Sequence, residues 1–165
     1  MTKGALMVLV VGLLAVGCES NRYGNLSKDV GDRMMSQRRA EISAEPRGNY
    51  YVGRRYVLPQ TKFWGYLREP GAAWETAKIV LMDESVTRVP DRLPEEGEGP
   101  NWQYDHNYEY VIQGQYTGQT GYDPISNFQI PIFRPTSFEL KKRDGGFLYL
   151  PGEKPKTGQL PPRPR

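Results

Sequence analysis

The sequence has one cysteine and one histidine in 165 residues, so the side chains most used for metal and redox chemistry are almost absent. An internal disulfide is excluded, because it needs two cysteines. A zinc site takes three or four well-placed ligands, and only Asp105 and Glu109 lie close in sequence to the single histidine, His106. We therefore expect no metal ion and no cofactor, and we expect His106 to have a structural role.

A strong net charge is also absent. The chain carries 22 lysines and arginines against 19 acidic residues, a formal net charge of +3, which gives no basis for nucleic-acid binding. No phosphate-binding loop, dinucleotide fingerprint or Gly-x-Ser-x-Gly motif is present. Asp105 and Asp123 are a conceivable acid–base pair, but paired carboxylates are too common to indicate an enzyme. The sequence therefore predicts a protein that is not an enzyme and has no nucleic-acid partner.

Long apolar runs are missing except at the start of the chain. Residues 1–18 read MTKGALMVLVVGLLAVGC, with Lys3 as a short positive segment before the apolar residues 6–14. An apolar run of this length is about half of the ~20 residues that a helix needs to cross a bilayer, which is typical of an export signal. We expect this segment to lie outside the folded domain.

The end of this signal, LAVGC at residues 14–18, resembles the lipobox of bacterial lipoproteins. The resemblance implies that the precursor is cleaved between Gly17 and Cys18, and that Cys18 becomes a lipid-modified N-terminus. The implied partner is a lipid bilayer, and the implied location is the cell membrane or outer membrane, facing the periplasm. Glu19 follows in place of the aspartate that commonly retains such proteins at the inner membrane, which favours the outer membrane. An ordinary secretory signal and an uncleaved anchor are the alternatives.

Composition divides the rest of the chain into three segments. Residues 19–47 are polar and predict a tether with one short helix, and residues 48–150 change to the alternating pattern of strands. Residues 151–165 contain five prolines and a net charge of +3, from four basic residues and one acid. Such a tail cannot pack a core, so we expect it to be extended or disordered.

The predicted helix spans residues 26–42. Leu26, Val30 and Met34 recur at every fourth position and form one narrow apolar stripe. Three arginines in the same segment either face lipid headgroups or lie on a solvated linker helix: Arg33, Arg38 and Arg39.

Abundant glycine and proline, with 18 and 14 residues, favour short strands and turns over long helices. Strands are predicted over 50–58, 62–68, 77–82, 102–118 and 137–141, with 130–135 as an edge strand or loop. The strand at 77–82 is the apolar centre of the segment 74–84, and a short helical turn over 72–76 is an alternative at the start of that segment. Gly53 and Gly65 lie inside strands, where glycine permits the bends that close a small barrel. The predicted fold is mainly β, a small antiparallel barrel of the OB or SH3-like kind preceded by one short helix. A small β-sandwich is the alternative.

Aromatic and arginine side chains of the β domain are the candidate ligand-binding groups. The candidates are Tyr51, Arg54, Trp64, Tyr66, Tyr108 and Tyr110. They are interpreted first as core residues and cross-strand pairs, and second as an exposed platform that stacks on a glycan or peptide. The sequence thus leaves two functions open: a non-catalytic envelope lipoprotein that binds an envelope protein or takes part in an assembly, and a glycan- or peptide-binding module that contacts a cell-wall polymer.

Overall fold

Five strands and one helix make up the part of the chain that the computed structural model describes, which is residues 28–58, 61–90 and 105–149. The elements are α1 (Lys28–Ser43), β1 (Tyr51–Arg55), β2 (Gly65–Arg68), β3 (Lys78–Met82), β4 (Glu109–Asp123) and β5 (Phe128–Lys142), with a single 3-10 turn at Trp74–Thr76.

The strands close into a barrel in the order β1-β2-β3-β5-β4, with β4 returning to pair with β1. Four of the five strand pairs are antiparallel, and β3 runs parallel to β5 through Leu81↔Ile132 and Met82↔Phe133. The predicted small β-barrel behind one short helix is confirmed, and the sandwich alternative is wrong because the sheet closes. The parallel β3–β5 contact makes the barrel OB-like rather than SH3-like.

The longest feature is the hairpin of β4 and β5, each of 15 residues. It pairs from Glu109↔Lys142 at one end to Asp123↔Phe128 at the other. The two segments predicted at 130–135 and 137–141 are therefore one continuous strand. Pro135 is tolerated within it because it lies opposite Gly114, where the register shifts, and prolines are accommodated at such irregularities.

Irregular strand pairing occurs in this hairpin and not in the pairing of β1 with β2, which contain Gly53 and Gly65. Register shifts occur beside Gly114 and between Tyr116 and Thr120, whereas the β1–β2 register is regular through both Gly53 and Gly65. Gly65 instead has a φ of +156°, and a Cβ there would lie 2.1 Å from the carbonyl oxygen of Arg54. With this backbone conformation the residues around Gly65 do not alternate strictly between the two faces of the strand, and Trp64 joins Leu67 in the interior cluster.

Two apolar clusters hold the domain together. The interior cluster comprises Trp64, Leu67, Val80, Val89, Tyr110, Ile112 and Phe133. The second lies on the outer face of β1 and β2 and comprises Val52, Tyr66, Trp74 and Leu148, with Ile42 of α1 packed against it. Both faces of β2 are consequently covered, and all four of its residues are buried.

The observed helix covers nearly the residues that the sequence pattern predicted. The face that packs against the rest of the domain, however, is not the predicted one. Val30 and Met34, which formed the predicted apolar stripe, are exposed, whereas Arg38 and Ile42 contact the barrel. One of these contacts is with the ring of Trp74, in the 3-10 turn that follows β2, on which the guanidinium group of Arg38 stacks.

Candidate functional site

The six predicted ligand-binding residues do not form an exposed surface. Buried among them are Arg54, Trp64, Tyr66 and Tyr110, and partly buried are Tyr51 and Tyr108. A stacking platform needs aromatic faces in contact with water. Such a platform is absent from these positions, because barrel closure covers one face of β1 and β2 and the second apolar cluster covers the other.

Four of the five candidate aromatic side chains belong to the interior cluster or pack against it: Trp64 and Tyr110 belong to it, and Tyr51 and Tyr108 pack against it. Trp64 and Tyr110 lie 6.0 Å apart between ring centroids. Tyr51 makes edge contacts with Phe133 and Tyr116, at 5.1 Å and 5.7 Å. Burial raises the pKa of Tyr116 to about 12, so its hydroxyl stays neutral at any physiological pH. These contacts are those of a core, in agreement with the first interpretation of the sequence.

Arg54 is fully buried and has its charge compensated inside the fold. Its guanidinium pairs with the carboxylate of Glu109, the residue opposite it across β1 and β4. It also donates to Asn107 Oδ1 at 2.7 Å and to the carbonyl oxygens of Gly145 and Gly146. Arg54 therefore joins the barrel to the segment that follows β5.

A second buried ion pair lies next to it. Arg68 Nη1 and Nη2 donate to the two oxygens of Glu45 at 2.6 Å and 2.7 Å, in the bidentate geometry that favours arginine over lysine. Lys141 and the backbone N–H of Gly71 also donate to Glu45. Burial opposes ionisation of this carboxyl, but the four donors outweigh it and lower the pKa of Glu45 to about 2.

Trp74 lies at the centre of these charges and is 1% exposed. Three guanidinium groups lie over its ring, with their carbons 4.6 Å (Arg68), 5.2 Å (Arg54) and 5.7 Å (Arg38) from the ring centroid. We call Trp74, these three arginines, Glu45, Glu109 and Lys141 the arginine–tryptophan cluster. Sequence reasoning missed it, because the acids and bases that pair are separated by between 23 and 96 residues in the chain.

His106 has the structural role expected of it. Its Nδ1 accepts a hydrogen bond from the backbone N–H of Val57 at 3.1 Å, and its ring packs on Tyr56 at 5.1 Å. Burial, followed by the charges of Arg55 and Arg54, lowers the pKa of His106, so the imidazole is neutral and able to accept this bond. The strand predicted from residue 102 begins only at Glu109, so His106 lies in the turn that leads into β4.

The carboxylates considered for acid–base chemistry are not brought together. Asp105 forms an ion pair with Arg55 before β4 begins, and Asp123 at the far end of β4 accepts hydrogen bonds from Ser126. Among the described residues, no group of three or more histidine, cysteine, aspartate or glutamate side chains is placed to hold a metal ion.

The largest exposed apolar group on the hairpin is at its end. We call residues 122–128 the hairpin tip, in which Tyr122 is 57% exposed, Ile125 45% and Phe128 49%. The turn is fixed by Asp123, which accepts from the N–H and hydroxyl of Ser126. Nothing in the local sequence pattern showed that both flanking strands would place this turn far from the charged end of the barrel.

Several predicted features lie outside the described residues: Gly17 and Cys18, and the tail at 151–165. Within residues 28–58, 61–90 and 105–149, no helix has both the length and the apolar character needed to span a bilayer.

Comparisons with protein-family models, with curated proteins and with solved structures found no match to this chain. An OB-like barrel does not by itself assign a function, since this architecture carries many unrelated ones. The case for a function therefore rests on the chain's own residues.

Proposed function

We propose that this chain is a bacterial envelope lipoprotein, anchored through an acylated Cys18 to the cell membrane or outer membrane and facing the periplasm. Its barrel acts without catalysis, by binding a partner protein of the envelope through the hairpin tip. The export-type segment at 1–18 and its lipobox-like end at 14–18 support the anchor. The exposed apolar side chains of the hairpin tip are the observation that carries the binding role.

The chemistry of the hairpin tip favours a protein over a lipid surface. Between residues 113 and 133 the only charged side chain is Asp123, which is buried. A surface that binds anionic lipid headgroups uses lysine and arginine, and this stretch has neither. The centre of a protein interface, by contrast, is depleted in charge and enriched in aromatic residues such as Tyr122 and Phe128.

The tip is also held in one shape before any partner binds. Tyr122 donates its hydroxyl hydrogen to Asn127 Oδ1 at 2.9 Å, across the turn. Together with the hydrogen bonds that Ser126 donates to Asp123, the Tyr122–Asn127 hydrogen bond fixes both ends of the four-residue turn. A pre-ordered surface loses less conformational entropy on binding, which raises affinity for a given contact area.

The anchor is tested by metabolic labelling of the full-length chain with palmitate in a bacterial host. We expect label on the wild-type protein in the membrane fraction, and no label on Cys18→Ser. An unlabelled, uncleaved product in the cytosol would contradict the anchor. Ser20→Ala is the control, because it retains Cys18 and lies outside the signal segment, and it should be labelled like wild type.

The binding role is tested by placing a photoreactive amino acid at position 125 of the hairpin tip. The matched control is position 86, since Val86 is 61% exposed but lies on the segment after β3. We expect one crosslinked envelope protein from position 125 and none from position 86. The purified partner should then bind Phe128→Ser about thirtyfold more weakly than wild type, the loss of ~2 kcal/mol typical of an interface hot spot. Equal crosslinking at both positions, a product containing only this chain, or unchanged affinity would contradict the proposal.

A further inference from the structure

The end of the β4–β5 hairpin opposite the hairpin tip is joined to α1. Glu109 begins β4 and lies opposite Lys142, which ends β5, and we call this pair the base of the hairpin. Lys142 pairs with Glu41 in the last turn of α1 at 2.7 Å. Lys141 pairs with Glu45, which follows the helix. The end of α1 is therefore fixed at the base.

The first half of α1 also lies at the base. Met34 lines a cavity of about 200 Å³ together with residues 144–147, which follow β5. The backbone of 144–147 stays at the base, because two of its carbonyl oxygens accept hydrogen bonds from Arg54, the residue opposite Glu109. Lys28, the first residue of α1, lies less than two helical turns before Met34, a helix length of ~9 Å. The chain thus enters the domain close to the base.

The hairpin tip lies at the far end of the same two strands. β4 runs through 15 residues from Glu109 to Asp123. A straight strand of this length covers ~46 Å at ~3.3 Å per residue, and the register shifts of the hairpin shorten it to roughly 40 Å. The exposed apolar side chains of the tip are therefore far from the point at which the chain enters the domain.

An acylated Cys18 would tie the base of the hairpin to the bilayer. Residues 19–27 connect Cys18 to Lys28, and a fully extended chain of this length reaches at most ~36 Å. The anchor limits how far the base can move from the bilayer and leaves the tip untied. Because the folded domain cannot enter the bilayer, the untied end lies on average farther from it than the tied end, unless the tip itself binds lipid.

The hairpin lacks the side chains that would hold it flat against the bilayer. From residue 113 to residue 133 the chain has no lysine or arginine. Each basic residue close to an anionic membrane surface contributes ~1 kcal/mol of attraction, and this contribution is missing along the outer part of both strands and at the tip. The composition of the hairpin therefore favours an orientation in which the tip is away from the lipid.

We propose that the hairpin tip points away from the bilayer that holds Cys18, and that its partner is a protein not embedded in that bilayer. The inference rests on the proposed function, from which it takes the anchor at Cys18 and the binding role of the tip. A partner in the same bilayer would lie nearest the base, whose charged side chains are already paired within the domain. A partner on the far side of the domain meets the exposed apolar side chains of the tip first.

The orientation is tested by energy transfer on the full-length, acylated protein in phospholipid vesicles that carry an acceptor dye on the headgroups. Cys18 is the only cysteine, and acylation blocks its sulfur, so one introduced cysteine takes up the donor dye. Ile125→Cys places the donor at the tip, and Ser36→Cys is the matched variant at an exposed position of α1. We expect transfer from position 36 to be at least threefold more efficient than from position 125. Equal or greater transfer from position 125 in the acylated protein would overturn the inference and leave the anchor in place. Mass spectrometry of the same samples measures acylation, and a protein without acyl chains would contradict the anchor and the inference with it.

The partner is tested in cells with the photoreactive amino acid at position 125. The crosslinked protein is identified by mass spectrometry, and its location is found by separating the inner membrane, the outer membrane and the soluble periplasmic fraction. We expect it in the soluble fraction or in the membrane that does not hold this chain. A partner embedded in the same membrane as this chain would overturn the inference and leave the binding role in place. The absence of any crosslinked protein would contradict the binding role, and the inference with it.

Discussion

The two ends of the β4–β5 hairpin differ in which side chains they bury: charged ones are buried at one end, and apolar ones are exposed at the other. At one end, Glu109 is buried against Arg54 and the arginine–tryptophan cluster surrounds Trp74. At the other end, the hairpin tip has no exposed charge and presents Tyr122, Ile125 and Phe128 to water. The contrast shows that the charged side chains at one end are buried within the fold, while the apolar side chains at the other end are exposed to water.

The largest effect should come from the charged end. Glu109→Gln leaves the guanidinium of Arg54 buried without its carboxylate, and breaking a buried pair in this way costs about 3–5 kcal/mol. The free energy of unfolding in urea measures the loss. Glu139→Gln, at an exposed position of β5, is the control and should change stability by less than about 0.5 kcal/mol. A loss below about 1 kcal/mol for Glu109→Gln would show that the pair is not structural.

The next largest changes in stability are expected at two glycines, one closely packed and one with open space around it. A Cβ at Gly145 would lie 2.1 Å from the guanidinium carbon of Arg54, so Gly145→Ala should destabilise the protein by about 1–3 kcal/mol. A Cβ at Gly31 in α1 meets nothing within 4 Å, so Gly31→Ala should stabilise it by about 0.5–1 kcal/mol. Thermal unfolding should therefore move in opposite directions. Shifts of the same sign would contradict the tight packing around Arg54.

A smaller change in the free energy of unfolding is expected when the pH is lowered, because His106 titrates. The pKa of His106 is lowered in the folded state, so the folded protein binds fewer protons than the unfolded chain. The free energy of unfolding should therefore fall as the pH drops below the unfolded value of 6.5, and His106→Gln should remove that slope. Glu45 acts in a separate window, since its contribution is complete above 4.5 and is lost as the pH falls through about 2. An identical slope in wild type and His106→Gln between pH 7 and 5 would contradict the neutral, buried imidazole.

The smallest effect on stability should come from the hairpin tip. Ile125→Ser and Phe128→Ser remove exposed side chains, and such surface substitutions usually change the free energy of unfolding by less than about 0.5 kcal/mol. Urea unfolding of each variant tests this. A loss above about 1.5 kcal/mol would mean that the tip packs for the fold and is not available for a partner.

The sequence predicted the barrel and its helix because those depend on local pattern. Alternating aromatic and branched residues indicated strands, and the recurrence of Leu26, Val30 and Met34 indicated a helix beginning near residue 26. Pro131 and Pro135 hid the continuity of β5, since proline inside a strand normally marks an edge or an end.

The burial of the arginines was not predictable in the same way. In an alternating strand Arg68 faces away from Leu67, and a charged side chain there would ordinarily meet water. Arg68 is buried instead because Glu45, which precedes β1, accepts hydrogen bonds from it and from Lys141 near the end of β5. These contacts join positions far apart in the chain, and no local pattern carries information about them.

The most direct test of the division between the two ends is the free energy of unfolding of Glu109→Gln combined with Ile125→Ser and Phe128→Ser. We predict that the combined variant loses the sum of the separate losses to within about 0.5 kcal/mol, as distant and independent sites do. A departure from additivity above about 1 kcal/mol would show that the hairpin tip and the arginine–tryptophan cluster are coupled, and would contradict their separate roles.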